Sequence, residues 1–120
     1  MNIEEFRDYC LSKPAVSESF PFDEKALTFK VLSKMFAITD VDLFESVNLK
    51  CDPERALELR DQYHAVSPGY HMNKKHWNTI LNNSDLPDDL MYELIDHSYE
   101  LVVKGMKKSE REELLKLGEL

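Results

Sequence analysis

Between Pro68 and Trp77 the chain sets two aromatic rings (Tyr70, Trp77), two lysines (Lys74, Lys75), two histidines (His71, His76) and Asn73 within ten residues. Cations that meet phosphate oxygens, beside rings that stack on a base or a sugar, are how proteins hold nucleic acid. The same rings would also anchor a peptide in a shallow groove. A plainer use is structural: Trp77 as the anchor of a strand, Pro68-Gly69 as the turn before it, and the lysines facing solvent. From Gln62 to Ser84 there is no carboxylate, so this is the one locally electropositive stretch of a chain whose net charge is -8.

Other residue types with chemical potential are less well arranged. His71 and His76 are five residues apart, not the i, i+4 spacing that puts two imidazoles on one face of a zinc-binding helix. Cys51 stands just before Asp52-Pro53, where a helix N-terminus could lower a thiol pKa, but Cys10 and Cys51 lack a CxxC spacing and read as buried, reduced thiols. Glu4, Glu5 and Asp8 share a helical segment whose oxygens would suit a hard cation, although a solvated face is the better explanation of them. The three glycines, at 69, 105 and 118, are too scattered for a phosphate-cradling loop. No catalytic role and no cofactor are expected.

The elements that must position these residues follow from periodicity. Asn2 and Glu5 form a capping box ahead of Ile3, Phe6, Tyr9 and Cys10, predicting a helix over 3–12. Alternation predicts strands over Leu27–Val31, Met35–Thr39 and Phe44–Lys50, an antiparallel meander with turns at Ser33-Lys34 and Asp40-Val41-Asp42. Asp52-Pro53-Glu54 opens a second helix with Ala56, Leu59 and Tyr63 inward. A strand over Trp77–Leu81 precedes the longest helix, which opens near Asp85–Asp89 and ends at Gly105. Ser109 with Glu112 reads as a further capping box before a short last helix that stops at Gly118.

At 120 residues, 42% apolar and 32% charged, the chain makes one domain with one core. No run approaches the roughly 18 apolar residues of a membrane span, and the acidic start MNIEEFRDYC lacks the features of a secretory leader. The expectation is a cytosolic α+β protein, an antiparallel sheet flanked by helices, acting as a monomer.

The string PGYHMNKKHWNT, preceded by VNLKCDPERALELR and followed by LPDDLMYELIDHSYELV, resembles the MmcQ/YjbR family of small bacterial proteins, and the match extends to the KMFAI strand at 34–38. The resemblance implies a fold similar to a double-wing DNA-binding domain and related in shape to frataxin. It carries over Lys50, Pro53, Pro68, Tyr70, Lys74, Trp77, Ser98 and Tyr99 as matched positions, and implies weak DNA binding. On that reading Lys30, Lys34, Lys50, Lys74 and Lys75 meet phosphates while Tyr70 or Trp77 stacks. The rival reading is a protein-interaction module in which Tyr70, His71 and Trp77 receive a partner. A third, a metal carrier on a frataxin-like fold, requires a carboxylate cluster on the first helix.

Overall fold

The chain's local signals set its helices first. Asn2 Oδ1 accepts the Glu5 N–H at 2.8 Å and Glu5 Oε1 accepts the Asn2 N–H at 3.2 Å, so the predicted capping box starts α1 (Ile3–Leu11). Asp52 Oδ2 likewise takes the Arg55 N–H at 3.1 Å with Pro53 as first residue of α2 (Pro53–Gln62). In the computed structural model, which describes residues 1–118, these are joined by α3 (Asp88–Lys104) and α4 (Lys108–Gly118). The six strands are β1 (Val16–Ser19), β2 (Ala26–Val31), β3 (Lys34–Asp40), β4 (Ser46–Lys50), β5 (Val66–Pro68) and β6 (Trp77–Leu81).

Every strand pair is antiparallel, and the spatial order is β1-β2-β3-β4-β6-β5. Alternation sends Leu27, Phe29, Val47, Leu49 and Ile80 to one face, where they form a single core with Phe6 of α1, Leu59 of α2, Ile95 of α3 and Leu114 of α4. All four helices thus contribute to the core on the same side of the sheet. The α+β class and the three-strand meander β2-β3-β4 are as the sequence predicts.

One joint in this sandwich is unusual. Between β2 and β3 the register passes from Phe29↔Ala37 to Lys30↔Met35, leaving Phe36 as an extra residue whose ring turns into the core. Pairing of β3 with β4 stops at Ala37↔Leu49. The fully buried Ser98 of α3 fills the gap: its Oγ donates to the Phe36 carbonyl at 2.5 Å and accepts the Lys50 N–H at 2.9 Å. It supplies the partners that the interrupted ladder would otherwise withhold from buried backbone groups. Tyr99 sits beside it, edge-on to Phe36 at 5.4 Å, with its hydroxyl donating to the Pro14 carbonyl at 2.7 Å. A second tie joins α1 to α3, where Asp96 accepts the Tyr9 hydroxyl at 2.6 Å and pairs with Lys13, whose ammonium lies over the Tyr9 and Tyr99 rings. The Asp96 carboxylate, with partial burial, pushes the Tyr9 phenol up to about 12.

Several predicted boundaries move. Strands β1 and β5 are additional to the sequence reading, and the β2–β3 turn is Leu32-Ser33, with Leu32 left-handed at φ 54°. Phe44 is not in a strand: it too is left-handed (φ 47°), its ring packs on Phe6, and β4 begins only at Ser46. Asp85 does not open α3; it accepts the His64 and Ala65 N–H groups at 2.7 Å each, and the helix starts at Asp88 with no side-chain cap. At α4 it is Glu110, reaching back to the Lys107 N–H at 3.2 Å, that closes the start, so Ser109 lies inside the helix. Among the described residues no helix is long and apolar enough to cross a membrane.

Ser98→Ala should lower folding stability by about 1–3 kcal/mol, because it leaves two buried backbone groups unpartnered; a shift of the urea midpoint at constant slope checks this. A second outcome concerns His97, whose Nε2 accepts the Asp52 N–H at 3.1 Å at the start of α2. Burial, then the nearby Arg55 charge, holds the imidazole below its ordinary 6.5. The unfolded chain therefore takes up this proton first as pH falls. The stability His97 contributes is complete above about pH 6.5 and is lost as pH drops through the lower native value. Urea midpoints at pH 7.5 and 5.5 should differ less in His97→Gln than in the parent.

Candidate functional site

The sheet face opposite the helices carries the second half of each alternation: Ala26, Thr28 and Lys30 on β2, Met35 and Ile38 on β3, Ser46, Asn48 and Lys50 on β4, and Trp77 and Thr79 on β6. None of these belongs to the core cluster. Two loops rise beside this face. The first holds Phe22, Asp23 and Lys25; Asp23 Oδ1 accepts the Lys25 and Ala26 N–H groups at 2.8 Å each, and those two bonds keep its carboxyl below the usual range. The second is the segment from Gly69 to His76.

Between them lies a cleft of about 520 Å³. Its floor is Met35, Ile38, Ser46 and Asn48, and its walls are Phe22 and Asp23 on one side and Tyr70, His71 and Met72 on the other. Phe22 is 70% exposed and Tyr70 69%, so two rings stand on the rims above an apolar floor. Tyr70 and His71 lie ring to ring with centroids 4.0 Å apart, and His71 is left-handed at φ 59°.

The second wall is fixed from three directions. Tyr70 N–H donates to Thr79 Oγ1 at 2.8 Å, and that hydroxyl donates to Asn48 Oδ1 in the floor. Lys74 Nζ donates to the Gly69 carbonyl at 3.0 Å, closing the loop on itself. From α2, Arg60 donates through Nε to Asn78 Oδ1 at 2.7 Å and through Nη2 to the Lys74 and Trp77 carbonyls. Gly69 N–H donates to the Trp77 carbonyl at 2.9 Å, and a β-carbon at Gly69 would stand 2.8 Å from that of Trp77. The glycine is needed for this close approach.

Of the residues singled out in the sequence, Tyr70 and His71 line the cleft. Trp77 lies on the open face with Gly69 against its Cβ and is only 9% exposed, which leaves little of its ring open to stacking. The five lysines divide. Lys30 and Lys50 lie on the open face, Lys34 is exposed at the β2–β3 hairpin end, Lys74 is tied to Gly69, and Lys75 lies beside Pro53, Glu54 and Leu57 of α2. Phe22, Met35, Ile38 and Asn48 were not readable as site residues, because each alone looks like an ordinary loop or strand residue.

Cys51 is buried, and burial pushes its thiol up to about 11 against a smaller opposing effect of Arg55, so the thiolate suggested by its place before α2 is not favoured. Among the described residues no three His, Cys, Asp or Glu side chains are grouped as a metal site, so the carboxylates of α1 do not make the cluster a metal carrier requires.

Residues 11–101 match the family model described as YjbR. The chain belongs to the YjbR family. The uncharacterized protein YjbR of Escherichia coli K12 is 38% identical over 98% of this chain and 100% of its own length. Protein YbdF of Escherichia coli O157:H7 is 34% identical over 84% of each chain. Among solved structures, that of protein DR2400 from Deinococcus radiodurans, a DUF419 domain, superposes with a TM-score of 0.87 at 44% identity, covering 94% of this chain and 87% of the other. A Pseudomonas syringae protein gives a TM-score of 0.72 at 27% identity over 85% of this chain and 99% of its own. The YjbR assignment and the α+β sheet sandwich therefore agree. Two of the family-matched positions, Ser98 and Tyr99, hold the sandwich together, and Lys74 and Trp77 hold the second cleft wall.

Gly69→Ala should displace the loop from Trp77, moving the emission of this single tryptophan to longer wavelength and costing about 1–3 kcal/mol in urea denaturation.

Proposed function

We propose that this YjbR-family domain is a non-catalytic binding module that receives a segment of a partner polypeptide in the cleft on its open sheet face. The observation that carries this reading is an apolar floor, Met35 and Ile38, left outside the core and flanked by two exposed rings, Phe22 and Tyr70. Exposed apolar surface in a concavity is what a partner's buried anchor needs. The charged residues that line it are Asp23, Asp40 and Lys25, and Lys25 has Asp42 4.0 Å away. A lining of that sign suits a polyanion poorly.

Nucleic acid is the second reading, favoured by one observation: Lys30 and Lys50 share the open face with the cleft. It has less support, because Lys74 is engaged in its own loop and Trp77 is only 9% exposed.

Selection of random peptides displayed on phage against the parent should enrich sequences with apolar or aromatic residues, and these should lose at least roughly tenfold in affinity for Ile38→Lys, about the cost of losing one good anchor. Saturable binding of oligothymidylate that weakens steeply with salt, with no peptide enriched, would give the function to nucleic acid instead.

A further inference from the structure

The open face is not uniform along its strands. Lys30 pairs with Met35 at one end of the β2–β3 ladder, and Ala26 pairs with Asp40 at the other. The four residue steps from Ala26 to Lys30 span about 13 Å. At the first end Lys50, two strands over from Lys30 and so about 10 Å away, points to the same face. Among the described residues neither lysine makes an ion pair. At the other end Asp40 and Asp23 line the cleft, and each uses only Oδ1, on backbone N–H groups, leaving Oδ2 without a protein partner among the described residues. Lys25, the cation nearest them in the lining, stands against Asp42. Of the apolar floor, Met35 lies beside Lys30 at the first end, and Ile38, opposite Thr28, lies between the two ends.

We infer that the cleft takes an extended peptide lying along β3 that carries an acidic side chain over Lys30 and Lys50, an apolar or aromatic one over Ile38, and a basic one facing Asp23 and Asp40. This rests on the polypeptide-binding reading and adds composition and alignment to it. An extended chain puts side chains i and i+4 on one face about 13 Å apart, the span between the two charged ends. Opposite charges at that spacing complement the face, whereas two like charges leave one end repelled.

The test uses four acetylated, amidated pentapeptides with the common centre Val-Phe-Val and the ends Glu/Lys, Lys/Lys, Glu/Glu and Gln/Gln, titrated into the isotope-labelled protein and followed by amide chemical shifts. The Glu/Lys peptide should bind roughly fivefold more tightly than Gln/Gln, as expected of two solvent-exposed ion pairs, and should perturb residues of β3 and both cleft loops. In the double variant Lys30→Glu with Lys50→Glu the preference should pass to the Lys/Lys peptide. Equal affinities for all four, abolished by Ile38→Lys, would overturn the inference and leave the binding reading intact. No shift with any peptide would overturn both. Tighter binding of oligothymidylate at the same amides would replace the peptide with single-stranded nucleic acid.

Discussion

Four helices set against a six-stranded sheet cover one face of it, and here all four contribute to the same core. Burial of Phe6, Phe29, Phe36 and Ile95 on that side supplies the main driving force for folding, and the inner strands β2, β3, β4 and β6 are committed to it by their alternation. The residues on the other side are then freed from packing duty. Loops alone remain to shelter them, and the 20–25 and 69–76 segments do so incompletely, which is why a cleft exists at all.

The two sides are nevertheless coupled. Ser98 holds β3 to β4 from the helix side at the point where Phe36 interrupts their pairing, and Met35, next in the chain, is in the cleft floor. Arg60 works in a similar way, reaching from α2 past the edge of the core to hold the loop that bears Tyr70 and His71. The shape of the open face is thus set in part by groups on the helix side of the sheet.

Much of the fold was legible because its signals are local. The Asn2–Glu5 box, the Asp52-Pro53 start and the period-2 stretches of β2 and β3 need no knowledge of distant contacts. The short edge strands were not legible: Val16–Ser19 and Val66–Pro68 have three or four residues each and owe their extended form to a neighbour already in place. The site was half legible. In β6 the apolar pair Trp77 and Leu81 reads as the inward face, yet it is Asn78 and Ile80 that enter the core. Arg60, eighteen residues away in the chain, satisfies the carbonyl oxygen of Asn78 there, while its Nδ2 is buried without a hydrogen-bond partner among the described residues. Likewise, nothing in Met35 or Ile38 taken singly distinguishes a cleft floor from a core.

The sheet's two edges bear on how this protein behaves in a crowded solution. A strand edge is a template on which another chain can add, and each edge here is short and interrupted by proline: Pro14 and Pro21 bracket β1, and Pro68 ends β5. Proline offers no N–H to an incoming strand, and Glu18 of β1 is held by Arg7 of α1, which ties the edge strand to the helix layer. A net charge of -8 adds repulsion between copies, so strand addition at these edges is disfavoured even though the sheet leaves an apolar cleft uncovered.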